Sequence, residues 1–210
     1  MTLHELGLKY NTDKATVHYY TYLYADRFNS PLEIYRMLEI GILRCASLKM
    51  WAEYFTNALV YGFDKNKFER ISSEIITFQG KQESKKDWKQ FIKEHGGHFD
   101  IIIDDGGHQI DAQQLSLKYL FQHVKKGGWY VIEDLHTSLR EQYLGGLKDK
   151  SLHTLNMCQE FIKTGKIVSE FMTEEDKKYL EDNIEFMELP CSGSNGKRPN
   201  NIVFIKKRRF

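Results

Sequence analysis

Phe99-Asp100-Ile101-Ile102-Ile103-Asp104-Asp105-Gly106-Gly107-His108 decides the fold, together with its counterpart Gly128-Trp129-Tyr130-Val131-Ile132-Glu133-Asp134. Each is a short apolar run that stops at once in carboxylates, and Glu133 follows Asp105 by 28 positions (133 − 105). Runs of this length and β-branched content predict strands buried on both faces, the usual state of a strand in a parallel sheet. Their carboxylates and His108 are therefore delivered to one edge. In open α/β sheets the carboxyl edge is where ligands bind.

Working outward, apolar runs predict further strands at 35–40, 58–63, 74–78, 184–189 and 201–206, which with 100–103 and 129–132 make seven. Helical periodicity falls between them at 47–55, 65–72, 88–94 and 112–124, the last with Leu115, Tyr119, Leu120 and Val124 on one stripe. Alternation of this kind predicts a doubly wound, mostly parallel sheet in one domain. The alternation breaks at the end, where residues 190–200 are too polar and glycine-rich for a crossover helix. The last strand is accordingly expected to pair antiparallel. Thr173 followed by Glu174-Glu175-Asp176 predicts the cap and first turn of a helix ending near Asn183. Gly145-Gly146 and residues 152–162 predict a loop and a helix near the active edge, read as a substrate cover. The tyrosine-rich stretch 11–24 predicts an amphipathic helix laid over the sheet.

Composition narrows the partners. Thirty Lys and Arg nearly balance 29 Asp and Glu, leaving a formal charge of +1, so there is no electrostatic case for nucleic acid or an anionic membrane. The terminal Lys206-Lys207-Arg208-Arg209 run reads as a solvated strand end. Cys45, Cys158 and Cys191 are odd in number and in no metal-ligand spacing, which predicts free thiols in a reducing compartment. The N-terminus shows no basic and apolar leader pattern, and no run approaches the roughly 18 apolar residues of a membrane span. A cytoplasmic protein with a small-molecule partner is the expectation, and a homo-oligomer is compatible with it.

Chemistry enters at the strand ends. Glu39-Ile40-Gly41 is a strand-to-helix turn with one glycine, and Asp64 closes the next strand about 20 positions on, where a ribose-binding carboxylate is placed in nucleotide-binding sheets. The two together point to an adenosyl ligand. Asp104, Asp105, Glu133 and Asp134 cannot crowd together uncompensated, because like charges raise one another's pKa. A hard divalent cation resolves the crowding, and carboxylate oxygens suit magnesium or manganese better than zinc. Taken singly, Asp104 and Asp134 read equally well as helix N-caps. His108 follows Asp105 across two glycines, and an imidazole suits proton abstraction near neutral pH.

These residues resemble the class I S-adenosylmethionine-dependent methyltransferases, specifically the metal-dependent O-methyltransferases of macrolide sugars. The resemblance runs through Thr12-Asp13-Lys14, His18, Tyr20 and Tyr24, Glu39-Ile40-Gly41, Ser47-Leu48 with Met50-Trp51, Tyr61-Gly62-Phe63-Asp64, Asp104 to His108, and Glu133-Asp134. It implies a Rossmann-like domain over 31–210 with residues 1–30 as a helical cover or lid. It also implies S-adenosylmethionine and Mg2+ (or Mn2+) as cofactors. Asp105, Glu133 and Asp134 are the implied metal ligands and His108 the base. Glu39, Gly41, Ser47, Asp64, Gln82, Asp104 and Lys14 are the implied cofactor residues. Two departures stand out: Cys45-Ala46 replaces a Gly-Gly pair before Ser47, and Lys81 replaces an acid in Gly80-Lys81-Gln82-Glu83-Ser84.

The expected reaction moves a methyl group to a sugar hydroxyl of a glycoside, nucleotide sugar or polysaccharide precursor. Three rivals remain at this point: a catechol-like diol as acceptor, a cofactor-binding subunit without catalysis, and a metal-dependent hydrolase. Gly41 with Asp64 disfavours the last.

Overall fold

A computed structural model describes residues 1–144, 147, 149–193, 196, 199 and 201–210. All seven expected strands are present: β1 (Arg36–Ile40), β2 (Leu59–Asp64), β3 (Ile75–Gln79), β4 (Phe99–Asp104), β5 (Val124–Ile132), β6 (Ile184–Glu188) and β7 (Val203–Lys207). They form one sheet in the order β3-β2-β1-β4-β5-β7-β6. β1 to β5 pair in parallel, and β7 runs antiparallel to both β5 and β6.

Register explains why the acidic ends meet. Ile40 lies opposite both Phe63 and Asp104, and Asp104 lies opposite Ile132. Gly41, Asp64, Asp105 and Glu133 therefore each leave the sheet one step past the same level. Side chains alternate between two cores because successive strand residues face opposite sides. Leu38, Ile102, Tyr130 and Ile132 face one, while Met37, Ile101, Ile103 and Val131 face the other.

The first core is covered by α5 (Lys85–His95), α6 (Ile110–Leu120), α7 (Thr154–Thr164) and α8 (Glu174–Asn183). The second is covered by α4 (Ala46–Tyr54) and two short N-terminal helices, α1 (Leu3–Lys9) and α3 (Tyr20–Arg27), with α2 (Asp13–Thr16) packed against both of these. α8 begins as expected, with Thr173 and Asp176 exchanging a capping box. Thr173→Ala should therefore cost about 1 kcal/mol, seen as a lower urea midpoint at unchanged slope.

Three expectations are corrected. Residues 65–72 are not helical: their carbonyls accept from β3 side chains, Lys65 from Gln79 Nε2 at 3.1 Å and Phe68 from Thr77 Oγ1 at 3.3 Å. Asp64 Oδ1 also accepts from Asn66 N at 2.8 Å, turning the chain where a helix would start. Residues 11–24 are two helices, interrupted at 17–19 with Tyr19 at φ +58°. Finally, Lys207 is buried, its ammonium donating to the carbonyls of Phe121, Gln122 and Val124 at 2.8–3.1 Å. It serves the end of the turn after α6 rather than facing solvent.

Gly145-Gly146, expected in a loop, lie outside the described residues, as do Ser194, Asn195, Lys197, Arg198 and Asn200 of the last connection. Cys45, Cys158 and Cys191 are free thiols. No helix among the described residues is long and apolar enough to cross a membrane.

Candidate active site

The strand ends open into a cavity of about 780 Å³. Its wall is built from the turns after β1, β2, β3 and β4, closed on one side by Asn11, Thr12, Asp13 and Thr16 of the N-terminal segment. Gly41, Ser47, Asp64, Gln82, Asp105, His108 and Asp134 line it. Among the other residues expected at the site, Glu39, Asp104, Glu133 and Lys14 are buried behind the lining.

Gly41 is where the β1 and β4 turns pass. At φ +91° a Cβ there would stand 2.1 Å from the Asp105 carbonyl oxygen, so only glycine fits. Asp64 reaches back to this turn, its Oδ2 accepting from Ile42 N at 2.9 Å. At the Cys45-Ala46 departure, Cys45 itself adopts the left-handed conformation, φ +61°, at the start of α4. Backbone strain gathers here more widely. Of seven non-glycine residues with positive φ among those described, Asn11, Leu43, His108 and Asp134 all line the cavity. Such residues persist where a surrounding structure holds a functional geometry.

Gln82 and Asp104 brace one another beneath the wall. Gln82 Nε2 donates to both Asp104 oxygens, at 2.7 and 2.9 Å, and its Oε1 accepts from Gly107 N at 3.0 Å. Burial pushes the Asp104 carboxyl up to about 7, with the Gly106 amide and Gln82 pulling it back. The pair thus shapes the Gly106-Gly107 turn that aims His108.

The acidic edge divides into two groups. In the outer one, ligand atoms of Asp105, His108 and Asp134 all lie within 4.8 Å of one another. His108 Nε2 stands 3.7 Å from Asp134 Oδ2. His18 Nδ1 and His136 Nδ1 approach Asp134 Oδ1 at 3.7 and 3.9 Å, and Tyr20 donates to that oxygen at 2.9 Å. The Nδ1 atoms of His18, His108 and His136 are buried without a hydrogen-bond partner. His136 carried no spacing signal, although it follows an acidic strand end as His108 does.

The inner group is Lys14 with Glu39 and Glu133. Lys14 is fully buried, its Nζ 2.5 Å from Asp105 Oδ2, 2.9 Å from Glu133 Oε2 and 3.2 Å from Glu39 Oε1. Burial opposes its charge, but Asp105, Glu133 and Glu39 outweigh that and hold the ammonium well above its ordinary range. Burial raises Glu39 to about 7, against the pull of Lys14 and Ser47. Burial and then Asp105 raise Glu133 as well. Glu133 Oε1 accepts from Tyr24 at 2.5 Å, so both of its oxygens are engaged. Glu133 and Asp134, adjacent in sequence, thus face different surroundings.

No protein-family model matches the sequence. Among curated proteins, the L-olivosyl-oleandolide 3-O-methyltransferase of Streptomyces antibioticus is 36% identical over 152 residues, 68% of this chain and 39% of that protein. The mycinamicin VI 2''-O-methyltransferase of Micromonospora griseorubida is 35% identical over 146 residues, 65% of this chain and 36% of that protein. Among solved structures, the MycE methyltransferase from mycinamycin biosynthesis, in complex with Mg, SAH and mycinamycin VI, superposes with a TM-score of 0.82 at 28% identity. That match covers all of this chain and 55% of the other. The sequence matches thus span under two-fifths of the curated relatives' length.

The sheet order and the match to the MycE structure give this chain the fold of the class I S-adenosylmethionine-dependent methyltransferases. Within that fold the chain is similar to the glycoside O-methyltransferases just named.

Proposed function

We propose that this chain transfers the methyl group of S-adenosylmethionine to a sugar hydroxyl of a glycosylated small molecule, with the help of Mg2+ or Mn2+. The observation that carries the reading is the convergence of Asp105, His108 and Asp134 on the wall of a cavity whose other wall is Gly41 and Asp64. The relatives' names narrow the acceptor to a glycoside, as against a nucleotide sugar or a polysaccharide precursor.

The donor set fits a divalent ion. It offers carboxylate oxygens at the cavity wall beside an imidazole, which suits a hard cation that retains water or substrate oxygens. Asp105 and Asp134 would hold the ion, with Glu133 as third ligand. The bound ion would supply positive charge that makes a neighbouring hydroxyl more acidic. Gly41 would let the cofactor pass close to backbone, Asp64 would accept from its ribose, and Glu39 and Ser47 would border its amino-acid end. Residues 1–30 act as the cover in this reading.

His108 would then take the acceptor's hydroxyl proton. As the carbon–oxygen bond forms, the carbon–sulfur bond breaks and its electron pair stays on sulfur, so the proton on His108 balances the charge. The residues around it would hold the oxygen in line, and such positioning can supply a large part of the acceleration of a displacement.

The reading is tested by calorimetry of S-adenosylmethionine binding, followed by turnover with macrolide glycosides and with catechol, each with and without a chelator. Binding of the cofactor, turnover of a glycoside and its loss on chelation are expected. Absence of cofactor binding would sink the methyltransferase reading, turnover indifferent to chelator the role of the ion, and preference for catechol the sugar assignment.

A further inference from the structure

The N-terminal segment meets the acidic edge donor for donor. Lys14 holds Asp105 and Glu133, Tyr24 holds the other oxygen of Glu133, and Tyr20 holds Asp134. Each carboxylate assigned to the ion is thus already bonded to a group from α2 or α3. Glu133 is 2% exposed with neither oxygen free, so an ion cannot reach it unless a donor withdraws.

We propose that Lys14 is a built-in cation that keeps these carboxylates together in the metal-free protein, and that a divalent ion loads by exchange, taking Asp105 and Glu133 from it. The proposal rests on the reading of Asp105, Glu133 and Asp134 as ion ligands.

Electrostatics favours exchange over sharing. An ammonium and a divalent ion bound to the same oxygens in a buried site repel strongly, because little solvent screens them. Buried carboxylates left charged and unpaired are equally unfavourable, so while they are ionised one cation or the other is needed beside them. The structure also holds a place for the ammonium to go. Glu39 is fully buried, neither of its oxygens makes a well-aligned hydrogen bond although Ser47 and Lys14 stand close, and Oε1 already lies 3.2 Å from Lys14 Nζ. A small movement would turn this long ion pair into a hydrogen-bonded one as Glu133 is released.

The break in the N-terminal helix is what makes the arrangement feasible. In one continuous helix, positions 14 and 20 would point roughly 120° apart at about 100° per residue. The interruption at 17–19 instead brings Lys14, Tyr20 and Tyr24 to one edge. Asn11, Thr12, Asp13 and Thr16, on either side of Lys14, line the cavity, so movement of the ammonium is felt at the cofactor wall. Lys14 is in this sense a positioning residue, acting through Asp105, Glu133 and Glu39.

The test uses Mn2+ as probe on the full chain, followed by calorimetry and thermal melting. Lys14→Met should melt lower than the parent without metal, bind Mn2+ at least tenfold more tightly, and gain more melting temperature from it. Glu133→Gln should bind Mn2+ at least tenfold more weakly. A folded Lys14→Met with parental or weaker Mn2+ affinity, or a Glu133→Gln with parental affinity, would overturn the exchange. If Lys14→Met folds only with Mn2+, the exchange is supported; if Mn2+ fails to recover it, the ion does not take the ammonium's place and the proposal fails. A parent chain that binds no Mn2+ would instead remove the ion reading itself.

Discussion

His108→Ala should lower turnover by roughly 10²- to 10⁴-fold, the range a positioned proton acceptor contributes, while calorimetric affinity for S-adenosylmethionine stays within about twofold of the parent. The separation is expected because, in the proposed reading, His108 stands beside the carboxylates that would hold the ion and away from the cofactor. Its imidazole faces Asp134 at 3.7 Å, whereas the glycine turn and Asp64 lie on the β1 and β2 ends. Its backbone is held independently of the ring: the Thr137 hydroxyl shares its one proton between the Asp134 carbonyl at 2.7 Å and the His108 carbonyl at 3.2 Å. Truncation therefore removes the proton acceptor and leaves the turn standing. Partial recovery with added imidazole would support the assignment. Loss of cofactor affinity with little change in turnover at saturation would move His108 to the cofactor's side.

Gly41→Ala should be among the most damaging glycine-to-alanine changes at the described positions. The added carbon would lie 2.1 Å from the Asp105 carbonyl oxygen and 2.8 Å from its carbon, and both are backbone atoms that cannot rotate away. The backbone at φ +91° is itself unfavourable for alanine. Together these predict a loss of about 3 kcal/mol or more, which for a domain of this size lowers the melting temperature by about 6–12 °C. Cofactor affinity should fall with it, since separating the β1 and β4 turns deforms the cavity wall. Gly107→Ala is the control: its nearest neighbour outside the chain's own turn is Gln109 Oε1 at 3.7 Å, an ordinary contact. It should melt within a few degrees of the parent. Equal melting of the two variants would show that the close passage at Gly41 relaxes freely.

The strands were legible because each is a compact apolar run closed by a turn residue, and a sheet buried on both faces needs little else. The false helix at 65–72 shows the limit of that reading. Phe68 and Ile71 do pack against the core with helix-like spacing, but the connection joins neighbouring strands and its carbonyls bond to β3 side chains instead. Lys207 was misread for a related reason. A basic run at a chain end looks solvated until a helix end with free carbonyls comes to rest beside one of its members. The interruption after Thr16 was likewise hidden, because tyrosines fit a helix and a break equally well.

At the site, the local motifs could be read directly. Asp104 to His108 and the Glu39 to Gly41 turn are contiguous, and strand ends at one sheet edge converge by register. What amino-acid order alone determined is this delivery of carboxylates, a histidine and a glycine turn to one edge, since buried parallel strands leave no other place for them. The tertiary structure decided how the carboxylates are shared. Lys14 is 91 positions from Asp105 and 119 from Glu133, and their meeting depends on where a four-residue helix docks. Docking is set by packing across the second core, with Tyr20 and Tyr24 wholly buried there, and no local pattern encodes it. A buried charge is stable only where its partners are, so the division between Glu133 inside and Asp134 outside appears only once the chain is folded.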